Sequence, residues 1–447
     1  MIGAGIAGLL AARVLSDTYE RIIVFDRDVL PTNPDGRRGV PQSRQAHGLL
    51  ARGREVLDEL FPQLSDELIE AGGVTGDVQC DFGWYLDGYL VKSAVSGLRG
   101  IGVSRPLIEH LIRARVAALP GVEIIDSTDV LGLVATTDRE RVAGVRIQHR
   151  TGEAQESVVP ADVVVDAAGR GSRALNWLGE LSYSAPPRTE VRSEVVYVTR
   201  HYRRAPHQLD GRLGVGEVAF PGRPRSGVLI AQEGDRFVLL LAGMLGEEPP
   251  TDDEGMLAFA ESLASSDFAE VMRTSVPLDE PVKMRFPASV RHHYEQLDRQ
   301  LGGYLVIGDA FCSFNPSYGQ GMTVAALEAL ALRRLLRQGT YYLAERFFLQ
   351  AAKMVDGPWF LAVGGDLRFP EVAGKRRPTD WLLNKYLERY RAAASVDPVL
   401  GTTFLRVSNM AASPARLLTP GHLIRVFRAA PKANMAAPRS TPSSAVS

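Results

Sequence analysis

Three clusters of residues have types and spacings that could do chemistry. The first is Gly3-Ala-Gly5-Ile-Ala-Gly8, followed by an apolar run from Leu9 to about Leu15 and by Arg21-Ile-Ile-Val-Phe25, which ends in Asp26. Glycines at this spacing allow a tight turn, the close approach of a pyrophosphate and close helix–strand packing, and an acid at the end of the next strand accepts ribose hydroxyls. The second is Gly308-Asp309, with Pro316, Gly319 and Gly321 behind it and an apolar run from Met322 to about Arg337. Gly319 and Gly321 let backbone approach a flat or charged group, and the helix that follows points its positive end at the same place. Asp309 is an anion and is better suited to accept hydrogen bonds from hydroxyls than to face a second negative charge. A polyol chain ending in a redox ring that becomes anionic on reduction satisfies both. That is flavin adenine dinucleotide, with Asp309 on the ribityl side and the helix N-terminus at the pyrimidine edge. The third cluster is Ala161-Asp-Val-Val-Val-Asp166-Ala-Ala-Gly169-Arg-Gly-Ser-Arg173, a buried-type strand running into a Gly/Ser loop.

These clusters need a particular scaffold. Leu305–Ile307 reads as a strand entering the Gly308–Gly321 loop, and the first cluster reads as strand–turn–helix–strand. Only Met1 and Ile2 precede Gly3, where a central strand of about five or six residues is expected. So short a strand would leave its neighbours without backbone partners; either the natural start lies upstream of Met1 or the sheet is weakened at the cofactor edge, and the reading favours the first. The third cluster and the distant Gly308-Asp309 favour FAD over a nicotinamide dinucleotide. Gly102-Val-Ser-Arg105-Pro opens a helix with a cation that opposes the helix dipole, so Arg105 has either an anionic partner in the site or a surface ion pair. Gly214-Val-Gly216 lacks the third glycine and lies in a strand context, so nicotinamide has no Rossmann unit of its own. NAD(P)H visiting the flavin pocket, or a separate flavin reductase, must supply electrons.

The chain resembles the FAD-dependent monooxygenases of the aromatic-hydroxylase type across most of residues 1–340. Within them it is similar to bacterial epoxidases and hydroxylases of secondary metabolism, including antibiotic biosynthesis, through Pro41-Gln42-Ser-Arg44-Gln-Ala-His47-Gly-Leu-Leu50, Asn315-Pro-Ser-Tyr-Gly-Gln-Gly-Met-Thr323 and Trp359-Phe-Leu-Ala-Val-Gly-Gly-Asp366. The first motif usually carries two histidines in that family; here one position is Gln45, which argues against a two-histidine site. The resemblance implies an α/β fold: a Rossmann-like FAD-binding domain of the para-hydroxybenzoate-hydroxylase type, an inserted antiparallel-sheet substrate domain and a C-terminal helical region. The expected divisions are 1–73, 101–176 and 288–340 for FAD, 74–100 and 177–287 for substrate, 341–430 helical and 431–447 a disordered tail. Expected cofactor contacts are Gly3, Gly5, Ile6, Ala7, Gly8, Asp26, Arg27, Arg44, Arg105, Val130, Gly169, Asp309, Gly319, Gly321 and Met322. The loop Phe311–Tyr318 is expected to wall the flavin, through Phe314, Asn315, Pro316 and Tyr318. Phe82, Trp84, Tyr197 and Phe220 are candidate substrate-lining residues.

Alternating strands support the inserted sheet: Glu194–Arg200, and Gly227–Ala231 turning through Glu233-Gly-Asp into Phe237–Leu241. Tyr341–Met354 and Thr379–Ala394 have helical periodicity. His47 has two readings, a residue of the flavin pocket or a satisfied polar group beneath a helix start, and the second is preferred. No metal site is expected; His292-His293 would face opposite ways on a strand. The formal net charge of -1 argues against a nucleic-acid surface, and Cys80 and Cys312 alone exclude a disulfide framework and fit a reducing cytoplasm. No apolar run approaches the ~18 residues of a membrane span. The expected reaction transfers one atom of O2 through a flavin C4a-hydroperoxide to a hydrophobic natural-product intermediate, by epoxidation or hydroxylation. No protein nucleophile or catalytic residue is required. The alternatives are a flavin alkene reductase or dehydrogenase and, less favoured, a non-enzymatic binding protein on the same scaffold.

Overall fold

Ile2 sits at the centre of a parallel sheet, bridging Phe25 on one side and Asp166 on the other. In this computed structural model, which describes residues 1–151 and 155–429, Ile22–Phe25 continues outward to Val122–Ile125, and Val164–Asp166 continues to Tyr304–Val306, both in parallel. The expectation that so short a central segment leaves its neighbours unpaired does not hold. The Phe25 amide donates to the Met1 carbonyl at 3.0 Å, the Ile2 amide to Val165 at 2.9 Å, and the Ala167 amide to Ile2 at 2.8 Å. Two helices, Ile6–Leu15 and Gly321–Leu336, pack against each other, and Leu9, Leu10, Val14, Leu330 and Leu332 are buried between sheet and helices. A three-stranded antiparallel meander, Thr128–Ala135, Val142–His149 and Glu156–Pro160, is inserted in sequence between Val122–Ile125 and Val164–Asp166 of this sheet.

The second layer is an eight-stranded sheet, in the order Cys312–Ser313, Val282–His292, Arg188–Arg203, Arg236–Gly243, Arg225–Gln232, Gly214–Glu217, Phe82–Leu86, Tyr89–Leu90. It departs from a purely antiparallel sheet at one place, where Gly214–Glu217 runs parallel to Phe82–Leu86. The strand around Glu194 is longer than its alternation indicates. It spans Arg188–Arg203, with a register slip between Arg192 and Val195 where Glu194 takes a φ of 47°. The hairpin pairs Ala231 with Phe237 and Gly227 with Leu241, and Gly234 and Asp235 both take positive φ in its turn. Cys312–Ser313 pairs with Val290 and Arg291, which stitches the loop after Asp309 onto the edge of this sheet. Residues 74–100 contribute to two sheets: Val74–Asp77 and Arg99–Gly102 pair with each other and, through the latter, with Gly48–Leu49.

Four helices follow: Leu343–Asp366, Pro378–Ala394, Pro398–Ser408 and Pro420–Ala429. The first runs well past Met354, through Pro358, so Trp359–Asp366 forms its last two turns. These helices are tied to the rest of the chain by polar contacts. Gln79 donates to Pro398, the Lys92 amide donates to Ala394 at 2.9 Å, and Asn409 accepts from the Ala51 amide at 3.0 Å. Among the described residues no helix is long and apolar enough to cross a membrane. The tail 431–447 lies outside the described residues.

Candidate functional site

The glycine turn is held by backbone. Gly3 has a φ of 96°, and a Cβ there would lie 2.7 Å from the Ala167 carbonyl oxygen. A Cβ on Gly8 would lie 1.9 Å from the Gly3 carbonyl oxygen, so this glycine permits the turn from beneath rather than facing the cavity. Gly3, Gly5, Ile6 and Ala7 open onto a cavity of about 750 Å3, and no side chain caps the helix that begins there. Asp26 lines the same space. Its carboxylate accepts from the Ala4 amide at 2.7 Å, the Asp28 amide at 2.9 Å and Arg37 Nη1 at 3.0 Å. Arg37 was not foreseen. Its nearly buried guanidinium also holds Asp28 at 3.0 Å and Glu109 at 2.6 Å, so one cation ties together three carboxylates. Arg105 begins the helix Arg105–Ala117, capped by Ser104; it faces the cavity and lies 3.5 Å from Glu109.

Asp309 lies deep in the protein, with its surface open to the cavity. Burial raises its carboxyl from the ordinary value, and Arg105 and Arg170 pull it back down. The carboxylate makes no hydrogen bond to the described residues. Around it the glycines leave room: a Cβ on Gly169 or Gly321 meets nothing closer than 3.9 and 3.8 Å, and one on Gly319 meets nothing within 4 Å. The helix Gly321–Leu336 presents an uncapped N-terminus here, lined by Gly319, Gln320, Gly321 and Met322. An unpartnered acceptor beside two uncapped helix ends, in a glycine-lined space, fits a group that carries hydroxyls, a pyrophosphate and a flat ring. Behind it, Glu328 accepts from the Gly308 amide at 2.7 Å, and burial pushes its carboxyl up to about 8. His47 faces the cavity. Burial, then Arg105, push its imidazole down to about 4, so it is neutral at pH 7. Its Nδ1 meets the Gln45 carbonyl at 2.9 Å, which assigns the proton to Nδ1 and leaves Nε2 an acceptor.

The wall beyond the glycines begins at Phe314, not at Phe311, which is buried against Tyr294 and Phe348. Phe314, Asn315, Pro316 and Tyr318 all line the cavity. Asn315 donates to Asp366 at 3.1 Å, and burial pushes that carboxyl up to about 6. A Cβ on Gly365 would lie 2.0 Å from the Tyr318 hydroxyl, so the end of the long helix fits closely over the wall. Arg27, Val130, Phe82, Trp84 and Tyr197 also line the space, with Phe82 and Trp84 stacked at 5.7 Å between ring centroids.

Besides Gly8, two expected contacts are elsewhere. Arg44 is exposed on the short turn Pro41–Arg44, and Phe220 sits in a tight turn under the Arg223 guanidinium at 5.6 Å. The C-terminal helices, by contrast, reach the cavity through Leu387, Arg391, Phe404, Leu405 and Asn409, none of which carries a local sequence signal.

No family model matches the chain. It is 33% identical over 426 residues to Protein Rv3254 of Mycobacterium tuberculosis (strain ATCC 25618 / H37Rv), covering 91% of this chain and 88% of that one. It is 25% identical over 349 residues to squalene epoxidase 1 of Arabidopsis thaliana, covering 75% of this chain and 59% of the plant protein. Among solved structures, the flavin-dependent brominase Bmp2 superposes with a TM-score of 0.67 at 16% identity, covering 96% and 97% of the two chains. OxyS anhydrotetracycline hydroxylase from Streptomyces rimosus superposes with a TM-score of 0.60 at 18% identity, covering 92% and 75%.

Proposed function

The chain belongs to the FAD-dependent monooxygenases of the aromatic-hydroxylase type, and from that premise we propose that it inserts one oxygen atom of O2 into a hydrophobic natural-product intermediate, by epoxidation or hydroxylation. The observation that carries the cofactor assignment is Asp309, an inward acceptor with no hydrogen-bond partner among the described residues, beside two uncapped helix N-termini. Gly3 to Ala7 would hold the pyrophosphate, Asp26 the adenosine ribose, Asp309 the ribityl hydroxyls, and Gly319 to Met322 the ring edge. The FAD is held without a covalent bond. When reduced, it activates O2 and supplies an electrophilic oxygen atom to an electron-rich alkene or arene.

The chain's own part is to bind, orient and keep water out. Leu86, Val228, Ile230, Leu240 and Leu387 give the chamber beyond the wall an apolar lining, which favours an apolar substrate and excludes water. The neutral Nε2 of His47 offers an acceptor to a substrate or ring N–H or hydroxyl. Gly214–Glu217 is an interior strand, bonded on both sides, so it offers no second nucleotide turn. Electrons therefore come from NAD(P)H entering this cavity or from a flavin reductase. The test supplies labelled oxygen gas, reduced flavin and a polyene or polyketide panel to the holoenzyme. A product heavier by one labelled oxygen atom is expected. A product changed only by hydrogen would instead establish an alkene reductase or dehydrogenase.

A further inference from the structure

At the end of the chamber that meets the C-terminal helices, two cations share one anion. Asp87, in the turn between Phe82–Leu86 and Tyr89–Leu90, is buried and accepts both forks of Arg368, at 2.8 and 2.6 Å. Arg391, on Pro378–Ala394, reaches the same carboxylate with one nitrogen only, at 3.3 Å. Its Nε and Nη2 have no partner among the described residues, and Arg368 Nε is buried and unpaired. All three residues line the cavity, and both arginines act electrostatically on the Tyr318 hydroxyl of the wall. Asp366 forms no ion pair with either arginine: one of its oxygens accepts from Asn315 at 3.1 Å, the other is buried without a hydrogen-bond partner among the described residues, and the residue does not line the cavity. The surrounding lining is apolar: Leu86, Leu361, Leu387, Phe404 and Leu405. A single carboxylate leaves one positive charge at this apolar end of the cavity, and an unpaired buried charge is costly. A strut needed only to hold the helices would require one arginine.

We propose that Arg391, with Arg368, is an anion subsite of the substrate chamber, and that the substrate is an apolar chain or ring system ending in a carboxylate. This rests on the monooxygenase reading and specifies its substrate class. The carboxylate would complete the donors that Asp87 leaves free, fixing which end of the substrate points away from the arginines.

The probes are decanoate and decan-1-ol, which share a chain and differ at the head, titrated calorimetrically into the flavin-loaded protein. Decanoate is expected to bind about tenfold or more tightly than decanol, the worth of a charge-assisted hydrogen bond. Arg391→Met should abolish that preference and leave decanol affinity unchanged. Asp87→Asn should act in the opposite direction, strengthening decanoate binding, because the competing anion is gone. Equal affinity of the two probes for the natural protein would overturn the subsite, as would a preference that survives Arg391→Met. Should Arg391→Met fail to fold, Asp87→Asn decides alone: an unchanged decanoate-to-decanol ratio rejects the proposal. No preference in the natural protein, with labelled oxygen still incorporated, rejects only the subsite. A retained preference with no oxygen incorporated rejects only the monooxygenase reading.

Discussion

Asp309 and Arg37 carry charge in the same cavity and do opposite jobs. Asp309 has no hydrogen-bond partner among the described residues, so its hydrogen-bonding capacity is available to a ligand. Asp309→Ala should therefore weaken FAD binding by roughly tenfold or more, the loss of about 1.5–3 kcal/mol, while the substitution itself leaves the fold intact. Flavin release followed by fluorescence measures this, and unchanged affinity with lost oxygen transfer would give Asp309 a catalytic part instead. Arg37 holds Asp26, Asp28 and Glu109 through its Nε and Nη1, so it acts as a structural cation. Removing it leaves Asp26 and Asp28 without an arginine and Glu109 with only its longer contacts to Arg105 and Arg113, at 3.5 and 3.8 Å. Arg37→Ala should destabilise the protein by about 3–5 kcal/mol, the cost of breaking a buried ion pair from one side. A denaturant midpoint within error of the natural protein's would show that water enters the cluster freely. Gly8→Val should empty the site without removing any donor, because its side chain would meet the Gly3 carbonyl.

At the scale of elements, the helix Gly321–Leu336 does two things, and only one was legible beforehand. Its glycines and its uncapped start could be read because they depend on residue type at short spacing. Its grip on the Gly308 turn could not, because Glu328 looks like any polar residue until its depth is known. Arg37 was missed for the same reason, since its partners lie on other elements, and the Trp359–Asp366 motif could be recognised but not placed over the wall. Arg44 was over-read, because a charge within a motif says nothing about which way a short turn points it. The Glu328 carboxyl, raised to about 8 from an ordinary 4.5, has a definite consequence. Below pH 4.5 it is protonated whether the chain is folded or not. Above that the unfolded chain ionises first, so this group's contribution is fully present below 4.5 and is lost as pH rises towards 8, at roughly 1.4 kcal/mol per unit. Glu328→Gln keeps an acceptor for the Gly308 amide and removes the titration. The stability of this variant relative to the natural protein should thus grow by about 2–3 kcal/mol between pH 6 and 8. A difference that does not change with pH would mean the carboxylate is ionised in the fold.

At the scale of the whole molecule, the cavity is a joint product. The parallel sheet supplies the glycine turns, the eight-stranded sheet supplies Phe82, Trp84 and Tyr197, and the C-terminal helices supply Arg391, Phe404 and Asn409. The layering was legible from strand patterns and the Gly227–Leu241 hairpin. The closure by the last helices was not, since Asp87 and Arg391 are 304 residues apart and meet only in the fold. Chains of this length often unfold in separate steps. Here the loop wall is bonded into the large sheet through Cys312–Ser313, and it lies under Gly365 at the end of the long helix. The last helices are bound in turn to Gln79, Asp87, Lys92 and Ala51. A ligand that orders the wall should therefore be felt by all three parts. Free FAD at a hundred times its dissociation constant adds about 2.7 kcal/mol to whatever unfolds with its site. Flavin fluorescence reports the cavity, far-ultraviolet dichroism the helices and sheets together, and proteolysis at the Pro378–Ala394 helix the C-terminal part. All three midpoints should rise together when FAD is added. A proteolysis midpoint that stays fixed while the other two move would show that the C-terminal helices open independently, and that the chamber can admit substrate by their release alone.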